Sequence, residues 1–196
     1  RDFCLSRGLG DVYKRQEQPL TEDEVKELTS KTYGAYIAVQ SDPNYIFRND
    51  WEEASYGRDA DNDVFSKLAK TNSDGTITDY GATFEDAVIS GNGTYTCSMT
   101  TGDMGFGEDT AFHFFRVSTD IPSKLVKEGY VTISDVTIKI GEGKTQSGVV
   151  VDTSGDWVKL IVEDNYNNIK ADGVVLTAPA PNTTTVFTFT VSGLAE

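Results

Sequence analysis

The sequence predicts an all-β chain, folded as a two-sheet antiparallel β sandwich of jelly-roll type with one or two short helices. Three observations carry that reading. Most apolar runs alternate with period two rather than 3.6. They are short and bounded by Gly, Asn, Asp or Pro turn signals. Only two stretches carry helix signals, so strands must supply the core.

In chain order, "LTEDEVKELTSK" (20–31) reads as a short helix or linker. Thr21 can cap it, Glu24 three residues on can close a capping box, and Val25 and Leu28 give one apolar edge. "AYIAVQS" (35–41) and "YIFR" (45–48) are strands parted by the turn Asp42-Pro43-Asn44. "NDVFSKLAK" (62–70) is the internal helix candidate, capped by Asn62, with Val64, Phe65, Leu68 and Ala69 as its face. "TFEDAVIS" (83–90) leads to Gly91-Asn92-Gly93, a hairpin-type turn. In "TYTCSMTT" (94–101) Tyr95, Cys97 and Met99 point one way and the hydroxyl residues the other. "AFHFFRVST" (111–119) is an aromatic strand. "YVTISDVTIKI" (130–140) alternates with a bulge near Ser134-Asp135. "GVVVDT" (148–153), "WVKLIVED" (157–164) and "TTVFTFTVSG" (184–193) complete the set. The expected core is Tyr95, Cys97, Met99, Phe112, Phe114, Val136, Ile138, Leu160, Phe187 and Phe189.

The first sixteen residues are of another kind. "SRGLGDVYKRQ" (6–16) lacks the third glycine and the Lys-Ser/Thr pair of a phosphate loop. It has neither the apolar core nor the cleavage site of a signal peptide. It matches, in register, the translation of a sequencing-library adaptor and its transposase mosaic end. Residues 1–16 are therefore expected to be adaptor-derived and unstructured, with 17–32 a linker or short helix and 33–194 the sandwich domain. The natural chain then starts inside a gene near Glu17, and the lack of a signal peptide says nothing about secretion.

The chain carries a net charge of −14, and residues 1–16 contribute Arg1, Arg7, Lys14 and Arg15 against Asp2 and Asp11. The remainder is thus more acidic still. That balance argues against nucleic acid and anionic membranes, whose phosphates need Lys and Arg. No apolar run is long enough for membrane insertion. Beyond Cys4 only Cys97 remains, so no internal disulfide framework exists.

Three groups of residues invite a functional reading. Trp51 and Tyr56 stand in "YIFRNDWEEASYGR" (45–58), a polar, turn-like stretch. Sugars stack their C–H faces on such rings, and Arg48, Asn49, Asp50 and Glu52 can bond the hydroxyls. The competing reading packs Tyr45, Phe47 and Trp51 inside. Asp59, Asp61 and Asp63 alternate as Ca²⁺ ligands do. Val64 and Lys70 replace the glycine and glutamate that a calcium loop needs, so a solvated acidic loop competes with a structural Ca²⁺, the one cofactor the sequence suggests. "GDMGFGEDT" (102–110) is a second acidic, glycine-rich loop that also suits an ordinary strand connection. Catalysis has little support. His113 sits mid-strand between aromatic residues, Cys97 reads as a small buried hydrophobe, and the adjacent carboxylates Glu52–Glu53 and Glu163–Asp164 face opposite sides of a strand. The chain is expected not to be an enzyme.

"GNGTYTCSMT", followed by "FFRVSTDIP" and "ISDVTIKI", is the most specific part of a resemblance that runs over most of 33–194. These segments resemble carbohydrate-binding-module-like β-sandwich domains of secreted multidomain proteins from anaerobic Gram-positive gut bacteria. The resemblance implies a jelly-roll fold, an extracellular or cell-surface setting, a polysaccharide or glycan partner, and covalently linked neighbouring domains. It carries over no binding residues, because ligand positions vary among such modules. The alternative is a structural or adhesive sandwich that spaces domains without a sugar site.

Overall fold

The computed structural model describes residues 18–42, 45–46 and 68–196. Residues 1–16, the sugar residues Arg48, Asn49, Asp50, Trp51, Glu52 and Tyr56, and Asp59, Asp61 and Asp63 all lie outside these. Among the described residues two antiparallel sheets face each other across one apolar core, with two short helices.

The larger sheet is built on three long strands. β1 (Tyr33–Asp42) is central, and β8 (Ala111–Pro122) pairs it along most of its length. β12 (Trp157–Asp164) flanks β8 on the other side, with β11 (Val150–Asp152) and β13 (Ile169–Lys170) beyond. On the far side of β1 run β2 (Tyr45–Ile46), β3 (Ala69–Thr71) and β4 (Ile77–Asp79), and β6 (Ala87–Ile89) also pairs with β1. The smaller sheet runs β10 (Gln146–Ser147), β9 (Thr132–Ile140), β14 (Thr184–Ser192), β7 (Gly93–Thr100), β5 (Thr83–Glu85).

Alternation fills the space between the sheets. Ile37 and Val39 of β1, Phe115 and Val117 of β8, and Leu160 and Val162 of β12 meet Cys97, Met99, Ile138, Phe187 and Phe189 of the smaller sheet. The Cys97 thiol reaches the Ala35 carbonyl across the gap at 3.4 Å, as a buried group held by packing. Burying one such phenylalanine is worth ~1.5–3 kcal/mol.

Helix α1 (Glu22–Thr29) carries the capping box: the Thr21 hydroxyl accepts from the Glu24 amide, and the Glu24 carboxylate accepts from the Thr21 amide, both at 3.2 Å. Tyr33 donates its hydroxyl to the Leu28 carbonyl and ties the helix to β1. Helix α2 (Ser123–Lys127) follows β8 directly. Gly193 adopts a positive φ of 93° as the chain leaves β14, and a side chain there would run into the Tyr130 carbonyl.

Several expectations need correction. The helix over 62–70 cannot reach its predicted end, because Ala69–Thr71 is a strand paired with β2 and β4. "TFEDAVIS" is two strands, β5 in the smaller sheet and β6 in the larger. Gly91-Asn92-Gly93 therefore carries the chain between sheets rather than closing a hairpin. Asn92 holds that corner by exchanging two hydrogen bonds with the Leu194 backbone. Phe112 and Phe114 are both buried but on opposite faces. A bulge at His113 breaks the pairing with β1, turning Phe112 into the core and Phe114 to the outer face. Tyr95 is only half-buried, its hydroxyl donating to the Gly91 carbonyl. The bulge foreseen near Ser134-Asp135 is present, with Asp135 at a φ of 52° and a register shift against β14.

Candidate functional site

The outer face of the larger sheet divides in two. At one end Ala38, Phe114, Arg116, Ile161 and Asp164 are buried, although none belongs to the core between the sheets. Arg116 bonds Asp164 at 2.9 Å, and its guanidinium lies 3.9 Å from the centre of the Phe114 ring. Asn167 supplies Asp164 with a further bond from its side-chain amide at 2.9 Å. Tyr166 stacks on His113 and bonds Gln40. These contacts place His113, Asp164 and Arg116 in a structural network. Asp164 faces the guanidinium rather than a cleft, so the Glu163–Asp164 pair offers no second carboxylate across one.

The other end is open. Trp157 begins β12 and is 52% exposed. Its parity explains why. Val158, Leu160 and Val162 point into the core, so Trp157 and Lys159 must point out. A cleft of about 380 Å³ lies against it, lined by Tyr36, Ser118, Asp120 and Lys159 among others. Register brings these together, since Ser118 sits opposite both Tyr36 and Lys159. Asp120 accepts the Gly34 amide at 2.7 Å.

A second cleft, about 520 Å³, lies against the same indole. Its walls are Leu20 and Leu28 from the α1 segment, Lys124 and Lys127 from α2, and Gly155-Asp156 from the turn between β11 and β12. Pro122 and Ser123 also line it. The Ser123 amide donates to the Asp156 carbonyl, but its hydroxyl is buried and has no hydrogen-bond partner. A buried hydroxyl left so costs about 1–3 kcal/mol.

Trp157 is thus an exposed ring between two polar-rimmed clefts, the arrangement expected of a stacking platform. The sequence held the signal: a tryptophan after a Ser-Gly-Asp turn, at the outward parity of a strand. The loop 102–110 is a docked strand connection. The Phe106 amide bonds the Pro179 carbonyl, and the Asn182 side chain bonds Asp103. No group of three or more His, Cys, Asp or Glu able to hold a metal occurs among the described residues. No described helix is long and apolar enough to cross a membrane. No family model, curated protein or solved structure matches the chain.

Proposed function

We propose that this domain is a non-catalytic carbohydrate-binding module of a larger secreted or cell-surface protein. The observation that carries the reading is Trp157, a large ring exposed on a sheet whose core does not need it, with hydrogen-bonding groups on both sides. A pyranose presents C–H bonds on its face and hydroxyls around its rim. An indole takes the face, and Asp120 and Lys159 stand where the rim falls. His113, Cys97 and Asp164 are engaged in packing and an ion pair, which favours binding over chemistry.

Stacking plus a few hydrogen bonds gives a dissociation constant in about the micromolar-to-millimolar range, roughly −4 to −8 kcal/mol. The test is a panel of soluble plant and microbial polysaccharides titrated against the wild type and Trp157→Ala. The variant is expected to lose most binding while its stability stays within about 0.5 kcal/mol, as for other exposed positions. Binding that survives Trp157→Ala overturns the placement. No binding anywhere on the panel overturns the carbohydrate reading in favour of a structural or adhesive spacer.

A further inference from the structure

The second cleft is chemically unlike the first. Lys124 and Lys127 are three apart on a helix of five residues, which puts both ammonium groups on one face. Like charges so placed repel, and this happens on a chain of net charge −14 with many carboxylates to spare. The Lys124 ammonium donates to the Gln18 carbonyl at 2.6 Å, a neutral acceptor that leaves its charge in place. Lys127 is exposed and has neither hydrogen bond nor ion pair among the described residues. A complement to the helix C-terminal dipole accounts for cations here. It does not account for their lining one cleft together with an exposed indole. Asp156 on the opposite wall and Glu128, whose carboxylate accepts the Leu20 amide, temper this charge without an ion pair to either lysine, and the exposed Lys127 is the cation that a single ligand carboxylate can reach.

We propose that the cleft between α1, α2 and the β11–β12 turn binds the carboxylate of an acidic sugar, a uronic acid unit, while Trp157 stacks on its ring. The proposal rests on the carbohydrate reading above and adds the class of sugar. Lys127 is the main contact and Lys124 the second. The negative field of the rest of the chain repels polyanions generally, so only a local, stacked carboxylate gains from the two lysines.

The experiment uses the full chain and two forms of one polymer, polygalacturonate and its methyl ester, by titration calorimetry. A neutral glucomannan and a sulfated polysaccharide complete the set. The wild type is expected to prefer the free acid over the ester by roughly threefold to tenfold, the range of one or two exposed charge contacts. Lys127→Gln should erase that preference and leave ester binding unchanged, and Lys127→Arg should keep it. Trp157→Ala should weaken both forms. Lys144→Gln, in the turn between β9 and β10, should change neither. Equal affinity for acid and ester, with Trp157→Ala still damaging, overturns this proposal and leaves the carbohydrate reading standing. Acid binding that ignores Trp157→Ala but falls with Lys144→Gln shows diffuse charge attraction and overturns it too. An equal response to the sulfated polymer overturns the carboxylate specificity. No binding to any of the four polymers overturns this proposal and counts against the carbohydrate reading itself.

Discussion

The two outer faces of the sandwich follow different rules. On the smaller sheet, Thr94, Thr96, Ser98 and Thr100 of β7 lie beside Thr184, Thr188 and Thr190 of β14, all outward and at least partly open to solvent. On the larger sheet the corresponding rows hold Ala38, Phe114, Arg116 and Ile161, all buried, and then give way to Trp157 and its clefts. One face is finished by water. The other is buried along half its length and open at the end where Trp157 lies. A strand with one wet face reads as clean alternation, whereas a strand buried on both faces reads as a continuous run. Ile37-Ala38-Val39 and Leu160-Ile161-Val162 are such runs.

The contrast is tested hardest at the Arg116–Asp164 pair. Both side chains are buried, and removing the carboxylate takes from the guanidinium the charge it bonds at 2.9 Å. Asp164→Ala is expected to cost about 3–5 kcal/mol, read as a fall in the urea midpoint. Replacing both partners with apolar residues, Arg116→Met with Asp164→Leu, should recover much of that loss. A loss under about 1 kcal/mol for the single variant would place the pair in solvent-like surroundings and remove the distinction between the faces.

That distinction also separates what was legible in the sequence from what was not. In β7 and β14 the alternation of Cys97 and Met99 with threonines gives face, register and core membership directly, because water enforces the polar parity. In β8 it fails. The run "AFHFFRVST" offers four aromatic rings and no polar parity, so nothing local marks the bulge at His113 that sends Phe112 and Phe114 to opposite sides. The paired strands β3 and β4 were hidden for another reason. Three-residue strands carry too few periods to register, and Ala69 and Lys70 also suit a helix. Trp157 was readable by parity from Val158, Leu160 and Val162. A tryptophan in a strand is ordinarily core, so parity alone does not single it out. The cleft beside it depends on α2, whose five residues carry no side-chain cap.

A smaller effect is expected where β1 meets α1. Tyr33 is buried, and its hydroxyl bonds the Leu28 carbonyl at 2.6 Å. Burial raises its pKa above the ordinary 10.0, and the charges of Asp120 and Glu27 raise it further. A raised folded-state value means that the fold holds the phenol proton more tightly than the unfolded chain does. The resulting stability is fully present below pH 10 and is lost as pH rises through the folded value. Tyr33→Phe should cost about 0.5–1.5 kcal/mol near neutral pH through the lost hydrogen bond. It should also flatten the fall in stability above pH 10. An alkaline fall unchanged by the substitution would assign it to other groups.

The smallest effect belongs on the hydroxyl face. Thr94 and Thr190 are cross-strand partners with hydroxyl oxygens 3.0 Å apart, and Thr100 and Thr184 repeat the contact at 2.9 Å. Each oxygen keeps water as an alternative partner, so removing one leaves nothing buried and unsatisfied. A double-mutant cycle of Thr94→Ala and Thr190→Ala, followed by urea unfolding, should give a coupling of about 0.2–1 kcal/mol. The same chemistry in a dry setting would resemble the Arg116–Asp164 case, where deletion takes away a buried charge partner. A coupling of several kcal/mol would therefore mean that the threonine face is covered in solution. The two faces would then differ in which groups they hold but no longer in their access to water.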